Sequence, residues 1–192
     1  EIAAAALQAG HEVRLIDLQV EPHRNYFRIL DAWSPTVVAF SCNYLANIPE
    51  MLDLAKETRR RSPNATIVVG GHSVSFIPET VLKQSDGAID CVLTGEGEAS
   101  IPLVLARAAE GTRAASLHEI PGAVTPNGHG PAAAFVADLN ALRPARHLLG
   151  HRRKYFLGPM DPCASIELSR GCPWDCAFCS AWTFYGRSYR LM

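Results

Sequence analysis

Short apolar runs and helical faces alternate through residues 1–125, and this alternation constrains the fold more than any other feature of the sequence. Val13 to Leu18, Val37 to Phe40, Ile67 to Val69 and Asp90 to Leu93 read as strands. Between them, Tyr26, Ile29, Leu30 and Trp33 mark one helical face, and Ile48, Met51, Leu52 and Ala55 mark another. A short helix is expected at Pro78 to Lys83, and Ile101, Val104, Leu105 and Ala108 form a last helical face. Strands that alternate with helices predict a parallel sheet covered by helices. The boundaries carry their own signals. Ser34-Pro35 stops one helix and Gly111 stops another, while Asn47 with Glu50 three residues on forms a capping-box pattern. Arg59, Arg60 and Arg61 suit the negative end of that helix, although a solvated charge run explains them equally well. The helix Glu1 to Ala9 precedes the first visible strand, whereas this architecture places a strand before it. With no initiator methionine, and with a pattern still open at Leu191-Met192, the chain reads as a fragment lacking its first strand and loop.

Composition removes several classes. The 192 residues are 48% hydrophobic, enough for a sizeable core, and their net charge of −1 gives no whole-chain reason to expect nucleic acid. No apolar run approaches the ~20 residues of a membrane span, and the Ala-rich start lacks the basic flank of a signal peptide. Six cysteines in a helix-and-strand chain of cytosolic character argue against a disulfide scaffold. Cys42 and Cys91 adjoin apolar runs and are expected to be small buried hydrophobes.

From Thr125 to Ala164 the alternation breaks down, and residues 126–164 read as a linker. Arg143, Arg146, His147, His151, Arg152, Arg153 and Lys154 form a basic stretch there, expected to be solvated. Ser165 to Ser169 reads as a strand that feeds the next segment, residues 165–192.

In open parallel α/β sheets, ligands bind outside the carboxyl ends of the strands. Here those ends are Ser41-Cys-Asn43, Gly70-Gly-His72 and Thr94-Gly-Glu-Gly-Glu98. Small and polar residues therefore gather on one edge. Gly70 and Gly71 let backbone approach a ligand closely, and Ser41, Asn43 and His72 offer hydrogen bonds. Ordinary turn glycines and a surface histidine would give the same pattern. No G-x-G-x-x-G follows a strand, and Gly95-Glu96-Gly97 is too acidic to cradle phosphate well.

The run Ser169-Arg-Gly-Cys172-Pro-Trp-Asp-Cys176-Ala-Phe-Cys179 places three thiols on one loop with spacing C-x3-C-x2-C. Two chemistries fit. A structural zinc site needs a fourth ligand, for which Cys163 and His151 are candidates. An iron–sulfur cubane normally takes four cysteines, so with three one iron stays open.

The cysteine loop resembles the signature of the radical S-adenosylmethionine (SAM) superfamily. The resemblance implies that Cys172, Cys176 and Cys179 hold a [4Fe–4S] cluster whose open iron chelates SAM, with Phe178 beside the adenine. An α/β domain ahead of that motif is similar to the flavodoxin-like cobalamin-binding domain of the B12-dependent radical SAM class. By that likeness Ser41 and the Gly70-Gly71 pair line the cleft for the nucleotide tail, and Gly95-Glu-Gly-Glu98 resembles a loop common in the class. The D-x-H-x-x-G motif that supplies a cobalt ligand in many B12 proteins does not occur, so no axial ligand is assigned. The runs His11 to Leu18, Asn43 to Asn47, Gly70 to Ser73, Asp161 to Glu167 and Ser180 to Arg190 resemble the hopanoid C-3 methylases of that class.

This resemblance implies a methyltransferase acting on an unactivated carbon of a hopanoid lipid. SAM cleavage supplies the hydrogen-abstracting radical, cobalamin supplies the methyl group, and flavodoxin or ferredoxin donates electrons. It also implies a cytoplasmic enzyme that meets a membrane surface through its substrate. Trp182, Phe184 and Tyr185 then belong to the core of a radical SAM barrel of which only the first strand and the cluster loop are present. Two alternatives remain open: the same chemistry on another substrate, as in porphyrin ring cyclases, or a corrinoid carrier with structural zinc.

Overall fold

The computed structural model describes residues 1–111, 116–141, 143–160 and 162–192. Asp161, which opens one of the resembling runs, lies outside the described residues. The chain forms two compact units, one of residues 30–136 and one of residues 1–29 with 137–192.

The first unit is built on a five-stranded sheet in the order β1-β2-β3-β4-β5. β1 (Val37–Ser41), β2 (Thr66–Gly70) and β3 (Cys91–Leu93) run parallel. Their crossovers are α3 (Ile48–Arg61) and α4 (Pro78–Gln84). This is the expected α/β, flavodoxin-like arrangement, and its central strands are apolar throughout because helices cover both faces of such a sheet. Ile67, Val68, Val69, Cys91 and Val92 are almost entirely buried. α3 buries Ile48, Met51, Leu52, Ala55 and also Leu54. α5 (Ser100–Ala109) buries Ile101, Val104 and Ala108.

The sheet is mixed rather than wholly parallel. β4 (Ala123–Thr125) runs antiparallel to β3, and β5 (Gly128–His129) folds back on β4 through Pro126-Asn127. The pattern break expected at Thr125 is thus a hairpin, and Asn127-Gly128 is the turn signal that marks it. Asn47 does not cap α3 through its side chain. A 3-10 turn over Leu45–Asn47 runs directly into the helix, so Asn47 already has helical dihedrals and cannot reach back as a cap.

The second unit contains α1 (Ile2–Gln8), whose Ala4, Ala5 and Ala6 are buried. Most of α2 (His23–Trp33) also belongs to it, with Tyr26 buried; α2 ends where Ser34 adopts φ 47 ahead of Pro35. The strand expected at Val13 to Leu18 does not form. Those residues carry no ladder, because β-forming side chains make a strand only where a neighbour satisfies the backbone N–H and C=O groups. The strand expected at Ser165 to Ser169 is reduced to β6 (Ser169–Arg170), paired antiparallel with β7 (Arg190–Leu191). A strand extends only as far as its partner, and β7 offers two residues.

The basic stretch is exposed, as expected, and some of its side chains also reach backbone carbonyls. Arg146 donates to the Ser165 carbonyl at 2.5 Å, Arg152 to the Arg146 carbonyl at 3.2 Å, and Lys154 to the Val20 carbonyl at 3.0 Å. The Tyr155 hydroxyl donates to Asp17 at 2.7 Å. Arg143 and His147 line an open cavity of about 320 Å³ with Ala4, Leu7 and Gln8 of α1.

Candidate functional site

The parallel strands end level with one another. Ser41 of β1 stands opposite Gly70 of β2, and Gly70 stands opposite Leu93 of β3. Everything after these residues leaves the sheet on one edge. The chain after β1 and the chain after β2 are tied together there: the Cys42 amide donates to the Gly70 carbonyl at 2.8 Å, and the His72 amide donates to Asn43 Oδ1 at 3.1 Å. Ser73 donates its hydroxyl to the Asn43 carbonyl at 2.8 Å. Ser75 donates to the Gly71 carbonyl at 2.8 Å and accepts the Gly95 amide at 3.2 Å, which joins the loop after β3 to the same floor.

Gly71 is the residue that permits this. Its φ is +116, and a Cβ placed on it would stand 2.7 Å from the Cys42 carbonyl oxygen and 2.8 Å from Asn43 Oδ1. Only glycine accepts both the dihedral and the close approach. Ser41 and Asn43 remain exposed, with the Asn43 amide 3.4 Å from the Ser41 hydroxyl. Partial burial lowers the His72 pKa, which favours the neutral imidazole, and the ring meets Phe76 edge-on at 5.2 Å.

Ser41, Asn43, Gly70, Gly71, His72 and Gly95 therefore share one edge. Glu96 does not face it: the carboxylate is buried and accepts the Val136 amide. Gly97 starts α5 by accepting the amides of Ser100 and Ile101. Ser73 and Ser75 were not singled out as site residues from sequence. Their alternate spacing after Gly70-Gly71 is the signal that points to them.

The family model for the B12 binding domain matches residues 1–105. The chain belongs to the B12-binding domain family. That membership supports cobalamin as a cofactor of the domain. A floor of glycine and small hydroxyl side chains, with no Cβ at its tightest point, fits the flat, hydrogen-bonding tail of such a ligand. The chain is 56% identical over 191 residues to the hopanoid C-3 methylase of Methylococcus capsulatus, an alignment covering 100% of this chain and 36% of the relative. It is 32% identical over 146 residues to the anaerobic magnesium-protoporphyrin IX monomethyl ester cyclase of Rubrivivax gelatinosus, covering 73% of this chain and 25% of the relative. It is 29% identical over 160 residues to the cobalamin-dependent radical SAM methyltransferase TokK of Streptomyces tokunonensis, covering 76% of this chain and 22% of the relative. The chain thus spans between about a fifth and two-fifths of these relatives' lengths.

The cysteine loop lies outside the family match. It joins β6 to α6 (Ala181–Tyr185). Cys172 and Cys179 are half-buried and Cys176 is exposed, and all three thiols are free. The Cys179 amide donates to the Cys176 carbonyl at 3.0 Å, and Trp182 Nε1 donates to the same carbonyl at 3.1 Å. Asp175 pairs with Arg187, whose guanidinium lies 5.7 Å from the Trp182 ring centre. Gly171 has φ +88, and a side chain there would collide with the Ser188 carbonyl. Among the described residues no three His, Cys, Asp or Glu side chains converge as metal ligands, and this holds for Cys172, Cys176 and Cys179 themselves. Phe178 is 93% exposed. The loop offers three thiols, one fewer than the four cysteines that an iron–sulfur cubane normally takes.

No helix among the described residues is long and apolar enough to cross a membrane.

Proposed function

We propose that this chain is the corrinoid-binding and cluster-loop portion of a B12-dependent radical SAM methyltransferase that methylates an unactivated carbon, C-3 of a hopanoid lipid. The observation that carries the reading is the level strand-end edge with its Gly71 floor, in a chain of the B12-binding family. The substrate assignment rests on the 56% identity to a hopanoid C-3 methylase. Residues 1–125 form the cobalamin domain, 126–164 the linker and 165–192 the start of the radical SAM domain.

In this assignment Ser41, Asn43 and His72 hydrogen-bond the cobalamin tail above Gly70 and Gly71, with Gly95 and Gly97 shaping the third loop. Glu96 holds that loop from inside. Cys172, Cys176 and Cys179 ligate a [4Fe–4S] cluster, and Phe178 lies beside the adenine of SAM. When bound, the cluster supplies one-electron chemistry to SAM and the corrinoid supplies a transferable methyl group. The chain's own contribution is to hold, orient and keep water from these groups. An electron donor such as flavodoxin or ferredoxin, and a membrane surface bearing the lipid, complete the reading.

The test is elemental analysis after anaerobic reconstitution with iron, sulfide and cobalamin. Iron and cobalt should both be retained. Cys172→Ala, Cys176→Ala and Cys179→Ala should each lose iron and keep cobalt. Stoichiometric zinc without iron would sink the cluster assignment. In the full-length protein, labelled SAM should transfer its methyl group to a hopanoid and not to a porphyrin; the reverse would favour a cyclase-like reaction.

A further inference from the structure

In the second unit, residues 151–160 read His-Arg-Arg-Lys-Tyr-Phe-Leu-Gly-Pro-Met, a run of cations followed at once by apolar side chains. The structure makes an anchored turn of this run. Arg152–Lys154 form a 3-10 turn. Leu157 and Met160 then exchange backbone hydrogen bonds at 3.0 and 3.1 Å, which closes a tight turn over Gly158-Pro159. Gly158 takes φ +56 there, in the left-handed region that favours glycine. The base of the turn is held. The Cys163 amide donates to the Tyr155 carbonyl at 2.9 Å, and Tyr155 and Lys154 bond to Asp17 and to the Val20 carbonyl. The tip is uncovered: Phe156 is 68% exposed, Leu157 64% and Met160 54%. Scattered exposed hydrophobics are ordinary and need no explanation. Three within five residues, on a turn whose base is fixed, are not scattered.

The charge beside this tip is one-signed. Residues 143–160 hold five arginines and lysines and no aspartate or glutamate, in a chain whose net charge is −1. Among the described residues none of these five makes an ion pair. The acids that face the turn, Asp17 and Glu21, act on Tyr155 at its base. A surface that matches the tip must offer anions beside an apolar phase. Nucleic acid offers phosphate but no apolar phase for Leu157 and Met160, whereas an anionic bilayer offers both within a few ångströms of depth. We propose that residues 152–160 dock the protein on an anionic lipid bilayer. Phe156, Leu157 and Met160 enter the boundary between headgroups and acyl chains, and Arg152 and Arg153 stay at the phosphates. The docking rests on the lipid-substrate reading for its choice of a bilayer, and it deepens that reading by naming the surface that meets the lipid.

The test is co-sedimentation of the full-length protein with vesicles of phosphatidylglycerol and phosphatidylcholine in equal parts, and with vesicles of phosphatidylcholine alone. The mixed vesicles should bind the protein more tightly. Phe156→Ser and Leu157→Ser should each weaken that binding by about tenfold, the loss expected when one apolar side chain no longer leaves water. Arg153→Gln should weaken it by about fivefold at low salt and by less at high salt. Leu103→Ser, at an exposed position on α5, should change nothing. Urea midpoints of the tip variants should not move, because the side chains replaced are exposed. Phe156→Trp should keep the binding, and its fluorescence should shift to the blue on mixed vesicles. The docking is wrong if the unaltered protein stays in the supernatant with mixed vesicles, as it would were the turn covered by another part of the polypeptide. It is equally wrong if the two serine variants sediment like the unaltered protein. Methyl transfer to a hopanoid dispersed in detergent examines the substrate reading apart from the docking. It should be unchanged in the tip variants, and its absence from the unaltered protein would remove that reading whatever the vesicles show.

Discussion

Arg59→Met should destabilise the sheet unit by about 3–5 kcal/mol, the range for removing one partner from a buried ion pair. The structure gives the reasons. The Arg59 and Asp90 side chains are only 16% and 6% exposed, and Arg59 Nη2 lies 2.5 Å from Asp90 Oδ2. Arg59 Nη1 also donates to the carbonyls of Pro63 at 2.9 Å and Ala65 at 2.7 Å, and Nη2 donates to Ala88 at 3.1 Å. One guanidinium therefore ties the end of α3 to the chain entering β2 and the chain entering β3. Asp90 in turn accepts the Ile67 amide at 2.8 Å. Without Arg59 the buried Asp90 carboxylate loses its counter-ion. Four separate hydrogen-bond losses do not add to this figure, because the freed carbonyls recover part of it from water. The assay is urea unfolding of the chain. For a slope of about 2 kcal/mol per molar, the midpoint should fall by roughly 1.5–2.5 M. Asp90→Asn should be costly alone but less so on top of Arg59→Met, since the second change removes the stranded charge. The shift should persist at high salt, unlike that of an exposed pair. A midpoint change within about 0.5 M, as expected for a surface pair, would refute the clamp.

Three further outcomes can be measured. Gly71→Ala should cost about 1–3 kcal/mol from its dihedral, with the collision at Cys42 in addition, and should weaken cobalamin binding; an unchanged midpoint and affinity would contradict the close approach. Cys176, which is exposed, should react rapidly with a thiol reagent at neutral pH, whereas Cys91, whose thiol burial pushes up to about 12, should react only on unfolding; native-state labelling of Cys91 detected by mass spectrometry would count against the core placement. Burial, and then the hydrogen bond and charge of Asp17, raise the Tyr155 pKa to about 12, above its usual value near 10. Its neutral form therefore contributes stability that is complete below about pH 10 and lost as pH rises through 12. A phenolate absorbance titration should show one late phase, absent in Tyr155→Phe; a phase that stays in that variant would assign it elsewhere.

The architecture was legible because three strands are short and apolar, two of them closed by Ser41 and Gly70, and because the helical faces repeat at their own period. The ligand edge was legible for the same reason: a parallel strand that ends in a small residue advertises its carboxyl end. What the sequence did not disclose depended on partners. Val13 to Leu18 has strand composition, but strand structure requires a neighbour, and composition cannot supply one. Glu96 sits between two glycines in a loop that looks exposed, yet it is buried against an amide forty residues away. Arg59 was indistinguishable from Arg60 and Arg61 in the sequence, although the fold buries Arg59 and leaves Arg60 and Arg61 paired with Glu57 at the surface. Position along a helix, not residue type, separates a clamp from a solvated charge.

These placements divide the sheet by function. The amino ends of β2 and β3 are closed by Arg59 and Asp90, with a buried charge pair and several backbone carbonyls engaged. The carboxyl ends are held by hydrogen bonds among serines, an asparagine, a threonine and backbone groups, with no buried charge pair in the bonds named for that edge. A ligand edge must keep groups free for the ligand, so it cannot also be the edge that secures the sheet. Arg59→Met should therefore lower stability with no change in corrinoid affinity wherever the chain remains folded. Ser41→Ala, at an exposed position, should do the reverse. Titrating cobalamin into both variants well below their unfolding midpoints separates the two effects. Equal loss of affinity in both would mean that the edges are coupled through β2 and that the division does not hold.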